Sequence, residues 1–332
     1  MFELSIAISI GMFLILYALT GGADFGAGMW DLLAVGPRAP RQRKAIAEAI
    51  GPIWEANHVW LILVVVLLFT GFPMGFSVMM IALHITLTVM LIGIVLRGSA
   101  YIFRKYDSRS EATQRHWSTV FGIACLVTPF SQGLILGALT TGQIRFVEGR
   151  VVTGFFAGWL TLFSLASGIF ALGLFAFLAA TYLTLDTQDQ PDLQNDFRLR
   201  ALWSGVTLAP IAGLVFLIAK QGAPEMYQGL THGWDLPLLA WTGGLSIAAL
   251  AALWRRWFSI ARAAAIGQVT LILVGWCLAQ YPYLVTPDVT VNNAHAPEIT
   301  LRLLVLTLSV GAVVLLPSLA YLFHMFKGEE SR

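Results

Sequence analysis

The chain has 332 residues, of which 58% are hydrophobic and only 11% are charged, and its mean hydropathy is +0.77. Soluble domains carry roughly 25% charged residues, so this composition excludes a soluble globular protein and predicts a polytopic membrane protein. The formal net charge is +2, which gives no basic footprint for nucleic acid, and we expect no nucleic-acid partner. Both cysteines, Cys125 and Cys277, lie in apolar runs, and no Cys/His cluster has zinc spacing, so we predict no metal site.

Nine apolar runs are long enough to cross about 30 Å of hydrocarbon. They cover residues 4–32, 48–71, 74–103, 117–141, 152–185, 199–219, 236–254, 260–284 and 299–325. The runs are continuous, whereas the strands of membrane barrels alternate, so we predict helices. We expect an all-α protein with two four-helix bundles and one extra helix, forming a single integral membrane domain over residues 1–332. The first run lacks the basic flank of a cleavable signal and is expected to be retained.

Lys and Arg residues concentrate in the loops after runs 1, 3, 5 and 7. These residues are Arg38, Arg41, Arg43 and Lys44, then Arg104, Lys105, Arg109 and Arg115, then Arg198 and Arg200, and finally Arg255, Arg256 and Arg262. The intervening loops carry fewer cations. Because positive loops favour the cytoplasmic side, we predict an external N-terminus and a cytoplasmic C-terminus with Lys327.

Two carboxylates interrupt the first two runs, Asp24 and Glu55. An ionisable group in the bilayer costs on the order of 2.5–3.5 kcal/mol even on mild insertion scales. From the helical rise, both acids lie roughly 8–9 Å from the span centres, toward the predicted cytoplasmic side. This shared level predicts a proton or ion path. The alternative is structural, with each acid capping a break or pairing with a buried donor.

His58 follows Glu55 by three residues and is predicted to share its helical face, which suits a proton relay. A hydrogen bond across helices is the alternative role. His84 is predicted to lie in the middle of the third run. These two histidines could in principle form one bis-His haem site, although nothing beyond their presence favours it. The other histidines, His116, His232, His295 and His324, lie near run ends or in loops.

Two stretches resemble the hallmark sequences of a known family. They are residues 20–29 (TGGADFGAGM) and 49–61 (AIGPIWEANHVWL). Both resemble subunit II of cytochrome bd-type quinol oxidases, and the Gly-Gly-Ala-Asp form looks more like the cyanide-insensitive branch. The Phe72-Pro73 turn and the loop 281–297 fit this family as well. The small residues Gly22 and Gly26 also permit close helix packing.

The resemblance implies a non-haem subunit of a complex that oxidises quinol and reduces dioxygen to water in a bacterial cytoplasmic membrane. It implies that haem b and haem d are ligated by a haem-bearing subunit I, with no cofactor on this chain. Asp24 and Glu55 match the acids of the family's cytoplasmic proton path. Gly21 stands where some members carry a second acid, and Glu55 stands where some carry Asp. Membrane lipid and a small accessory subunit are further candidate partners.

A stand-alone proton-coupled membrane transporter is the alternative function, because transporters also use buried acids near mid-membrane. Clear inverted repeats and paired broken helices are not evident in the sequence. Obligate co-purification with a haem-bearing subunit distinguishes the two functions.

Overall fold

The computed structural model describes residues 1–51, 54–106, 111–231 and 235–328. Residues 52 and 53 of the hallmark stretch 49–61 lie outside the described residues, as do Arg109, His232 and the side chains of Lys105, His324 and Lys327.

The described chain is almost entirely helical. Its helices are α1 (Phe2–Leu32), α2 (Ala39–Ile50), α3 (Trp54–Asn57), α4 (Val59–Gly71), α5 (Pro73–Ala82), α6 (His84–Tyr106), α7 (Glu111–Thr140), α8 (Leu162–Asp186), α9 (Pro191–Gly222), α10 (Pro224–Thr231), α11 (Asp235–Trp254), α12 (Phe258–Gln280) and α13 (Glu298–Gly328). Two separate antiparallel hairpins pair β1 (Phe146–Val147) with β2 (Arg150–Val151), and β3 (Tyr283–Val285) with β4 (Val289–Thr290).

The prediction of nine membrane-spanning helices is confirmed within the described ranges, which contain nine helical stretches of sufficient length and hydropathy. Two predicted boundaries are wrong, and one predicted run is interrupted. The second span begins at Trp54, because residues 48–50 end the separate amphipathic helix α2. The fifth begins at Leu162 rather than near 152. Thr161 caps this helix, its Oγ1 accepting a hydrogen bond from the Ser164 N–H at 3.1 Å.

The third predicted run is interrupted at Leu83, whose φ of −114° and ψ of 16° end α5 before α6 begins. His84 is therefore the first residue of α6, and its predicted mid-span position is wrong. Its ring packs edge-on against Phe155 with the centroids 4.7 Å apart. Its Nδ1 lies 2.8 Å from the Ile81 carbonyl oxygen, so local contacts account for this histidine.

The helices form the predicted two groups of four with one extra helix. Helices α8, α9, α11 and α12 close a ring in which each helix packs on two others. The other group, which we call the first helix group, contains α1, α4, α6 and α7, and α13 packs on α1 and α4. Helices α1 and α7 join the groups, because α1 also packs on α8 and α12 and α7 also packs on α8.

Glycines allow the close approach of α1 and α8. A Cβ added to Gly26 would overlap the backbone oxygen of Phe175, and one added to Gly22 would lie 2.6 Å from the Phe175 ring. The two backbones therefore meet without intervening side chains, as the small residues predicted.

The loops after spans 1, 5 and 7 and the end of span 3 at Arg104 meet at one end of the molecule, which we call the arginine-rich end. There Arg38 donates to Asp196 through Nε and Nη2 at 2.8 and 2.7 Å, and Arg41 lies 2.6 Å from Asp192. These ion pairs fasten α2 to the beginning of α9.

At the opposite end, one ion pair joins the two hairpin loops. Arg145 Nε donates to Asp288 Oδ2 at 2.8 Å, and the Phe146 N–H donates to the same oxygen at 2.8 Å. The Thr286 N–H also donates to the Leu139 carbonyl at 3.0 Å, which fastens the second loop to the end of α7.

Gly26→Ala is expected to lower the stability of the folded chain by about 2 kcal/mol, because the added methyl group forces α1 away from α8. Thermal unfolding in detergent measures this effect. Gly213→Ala in α9 is the matched control, since its added Cβ meets no atom within 4 Å. Equal melting temperatures for the two variants would contradict the proposed role of this close contact.

Acidification is expected to weaken the link between the hairpin loops. Partial burial acts to raise the pKa of Asp288, but hydrogen bonds from Arg145 and Phe146 outweigh it and hold this pKa below its usual value. At a pH above the ordinary aspartate pKa of about 3.9, the ionised Asp288 therefore stabilises the fold. This stabilisation is lost as the pH falls through the lower pKa that Asp288 has in the folded state.

The measurement is the melting temperature as a function of pH for the native chain and Asp288→Asn. The two curves should be separated at neutral pH and converge in acid. Curves that stay parallel throughout would show that this carboxylate adds no pH-dependent stability.

Candidate functional site

Asp24 lies in the middle of a buried polar cluster inside the first helix group. It is 7% exposed, and its Oδ2 accepts a hydrogen bond from Asn57 Nδ2 at 2.8 Å. Arg97 Nη2 lies 3.7 Å from the same oxygen, and the whole Arg97 residue is 1% exposed. A buried carboxylate is tolerated when a cation and hydrogen-bond donors compensate it, and this cluster provides both.

His58 is joined to the cluster through Arg97. The Arg97 Nη1 lies 3.1 Å from His58 Nε2. Because a guanidinium has only donors, Nε2 must accept this hydrogen bond, and the neutral ring carries its proton on Nδ1. Nδ1 is buried and has no hydrogen-bond partner within the described residues.

Aromatic rings surround this cation. The Arg97 guanidinium carbon lies 4.7 Å from the centroid of Phe25, 5.8 Å from Trp54 and 6.0 Å from Phe121. The rings exclude water from the guanidinium while their faces attract its charge. Arg97 is therefore held in one position between α1, α3 and α7.

The structure does not bring Glu55 and Asp24 together. Glu55 is exposed on the short helix α3, whereas Asn57 of the same helix turns inward to Asp24. The predicted shared face of Glu55 and His58 assumed one continuous helix. Instead α3 ends at Asn57 and α4 begins at Val59, with the His58 N–H donating to the Glu55 carbonyl at 3.2 Å.

Arg97 and Asn57 are the members of the cluster to which the sequence interpretation gave no role. Arg97 lies within the third apolar run, seven residues before the loop cation Arg104, and orientation rules consider only loop cations. An arginine so deep in an apolar run is costly, which is the signal that could have identified it.

A haem shared by His58 and His84 is excluded by their separation. His84 and Arg97 lie thirteen residues apart on α6, about 20 Å along the helix, and His58 contacts Arg97. The Nε2 of His58 is also occupied by Arg97. Among the described residues, no group of three or more His, Cys, Asp or Glu side chains could hold a metal ion.

Comparison with known proteins identifies the family. The sequence model for cytochrome bd terminal oxidase subunit II matches residues 2–326. The chain belongs to the cytochrome bd terminal oxidase subunit II family.

The relatives of this subunit II are oxidase subunits. A Bacillus subtilis (strain 168) protein, named as a candidate cytochrome bd menaquinol oxidase subunit II, is 24% identical over 97% of this chain and 94% of its own length. Subunit 2 of the cytochrome bd-I ubiquinol oxidase of Escherichia coli K12 is 27% identical over 66% of this chain and 55% of its own length.

The fold of this subunit II also matches a solved oxidase structure. A chain of the bd oxidase from Geobacillus thermodenitrificans superimposes with a TM-score of 0.76, covering 98% of this chain and 99% of the other at 21% identity. The predicted resemblance and the all-helical fold are thus confirmed.

Arg97→Met is expected to destabilise this subunit II by about 3 kcal/mol or more, because it leaves the buried Asp24 carboxylate without its cation. Adding Asp24→Asn to this variant should restore part of the loss, since the amide needs no counter-charge. Thermal unfolding of the purified protein tests both variants.

Arg150→Met is the control, because the Arg150 side chain is exposed on β2 and forms no hydrogen bond or ion pair within the described part of the chain. If Arg97→Met and Arg150→Met lowered stability equally, charge compensation at Asp24 would not be the important interaction.

Proposed function

We propose that this chain is the non-haem subunit of a quinol:dioxygen oxidoreductase of an aerobic respiratory chain. In this role it supports a haem-bearing subunit I and contributes buried acids to a cytoplasmic proton path. The observation that carries the proposal is the buried Asp24 of α1, held by Asn57 and Arg97 within the membrane-spanning region of a family member.

The reaction explains why buried ionisable groups would be needed. Each electron delivered to dioxygen requires a proton to make water, and hydrocarbon does not conduct protons. In the proposed path Glu55 receives protons near the arginine-rich end, and His58 accepts and releases them beside Arg97. Asp24 then holds the proton within the helix group. His58 suits this step because its protonated Nδ1 has no partner among the described residues and can release its proton, while Nε2 takes up the next proton in place of the hydrogen bond from Arg97.

The exposed carboxylate of Glu55 supports a partner subunit. Glu55 lies on the second membrane-spanning segment, where contact with lipid would be costly. Helix α13 is also poorly covered, since only 6% of the residues in its stretch Glu298–Leu315 are buried. We propose that subunit I covers both, while lipid surrounds the remaining apolar faces; a small accessory subunit is a further candidate partner.

The cofactors follow from the residues available. His58 is engaged by Arg97, His84 is about 20 Å away along α6, and the described residues offer no metal-binding group. We therefore propose that haem b and haem d are held by subunit I and that quinol is a substrate of the whole complex. With the arginine-rich end on the cytoplasmic side of a bacterial membrane, protons would be taken from the cytoplasm.

Asp24→Asn and Glu55→Gln are expected to slow quinol-dependent oxygen reduction by about tenfold or more while leaving haem content unchanged. The two variants remove a proton-carrying group but keep its size. Oxygen consumption per haem and the kinetics of proton uptake are measured on the purified complex, whose visible spectrum reports haem b and haem d. Glu148→Gln, exposed on the opposite hairpin loop, is the control.

Normal turnover and normal proton uptake in both variants would eliminate the proton path. Loss of haem would instead indicate an assembly role. A chain that purifies alone and colourless even after gentle cross-linking would contradict the oxidase proposal itself.

A further inference from the structure

A second buried Asp–Arg pair repeats the first at an interval of two helical turns. Asp31 follows Asp24 by seven residues on α1, and Arg104 follows Arg97 by seven residues on α6. Arg104 Nη1 donates to Asp31 Oδ2 at 2.8 Å. The two acids therefore lie on one face of α1, about 10 Å apart along its axis.

The surroundings of Asp31 connect it to the arginine-rich end. Asp31 is 1% exposed, but the Arg104 side chain is 15% exposed and so reaches the surface. Arg43 of α2 donates to the backbone oxygens of Asp31 and Ala34 at 3.4 and 3.0 Å. Asp31 is thus a buried acid immediately below the surface of that end.

The space between the two pairs is bounded by α7. Phe121 lies between the two cations, 6.0 Å from the Arg97 guanidinium carbon and 5.0 Å from that of Arg104. Cys125, one turn further along α7, lies against Gly28, where an added Cβ would overlap its sulfur. Gly28 therefore leaves room for the thiol between Asp24 and Asp31.

Of the five buried side-chain polar atoms without a partner among the described residues, two belong to these pairs and one to the neighbouring His58. Within the described residues, Asp31 Oδ1, Arg97 Nε and His58 Nδ1 are buried and form no hydrogen bond with another group. Buried polar atoms of this kind are usually satisfied by ordered water. The unpaired Oδ1 lets Asp31 bind water while Oδ2 remains fixed to Arg104.

We propose that Asp31 is a further proton-transfer residue, which passes protons from the arginine-rich surface through bound water to the Asp24 cluster. A hydronium ion in the bound water donates its proton to Oδ1 and becomes water, and the resulting carboxylic acid releases a proton to a water molecule on the Asp24 side, which becomes hydronium. Each step therefore breaks one O–H bond and forms another. Arg104 is a positioning residue that keeps the other oxygen in place. This inference rests on the proposed proton path.

The test uses Asp31→Asn in the complete oxidase complex. Turnover per haem is expected to fall by about tenfold. The solvent deuterium isotope effect on turnover should rise, because proton transfer then limits the rate. Asp31→Glu should recover most of the rate, since it restores a carboxylate. Asp288→Asn removes a carboxylate from a comparable Arg–Asp pair at the opposite end and should leave turnover and isotope effect unchanged.

A purely structural ion pair gives a different result. Asp31→Asn would then change the melting temperature but neither the turnover per haem nor the isotope effect, and this result would overturn the inference. If Asp31→Asn does not assemble, the double variant Asp31→Asn with Arg104→Gln removes both charges together. We expect it to remain slow, and wild-type turnover would overturn the inference.

The outcome at Asp24 separates the two proposals. Slow Asp24→Asn with normal Asp31→Asn would overturn only the role of Asp31. Normal turnover in both would remove the proposed proton path as a whole.

Discussion

The buried contact between Arg97 and Asp24 is the interaction on which the first helix group depends. Neither charge is acceptable alone in a low-dielectric interior, and together they still require hydrogen bonds to their remaining polar atoms. Asn57 supplies one such bond to Asp24, while His58 accepts one from Arg97. The pair therefore fixes the relative positions of α1, α3 and α6 and determines where the polar interior lies.

The rest of the fold brings α1 close enough to make this contact. Helix α1 packs against both helix groups, and at Gly22 and Gly26 its backbone lies directly against Phe175 of α8. On its other side, Gly28 leaves room for Cys125 of α7. The same glycine-rich stretch thus provides the close packing and carries the buried acid, which explains why Asp24 lies among small residues.

The sequence predicted the membrane spans well, because long apolar runs report directly on burial in hydrocarbon. Its boundary errors occurred where local backbone chemistry ends an apolar helix, as at Leu83, or caps the next one, as at Thr161. The predicted shared face of Glu55 and His58 depended on an unbroken helix through His58. The depth of a residue along a helix follows from its number. Which side chains meet also depends on the break before Val59, and on Arg97, which contacts Asp24 from a distant segment.

The repeated Asp–Arg spacing has a physical consequence for proton movement. Each carboxylate has one oxygen next to an arginine of α6. The arginine fixes the position of the carboxylate and also balances its negative charge. At Asp31 the other oxygen remains without a protein partner among the described residues. An acid that is anchored at one oxygen and can bind an ordered water molecule at the other would accept a proton with little rearrangement. The proposed proton path could therefore cross the apolar interior while the carboxylates of Asp24 and Asp31 each keep an arginine as counter-charge.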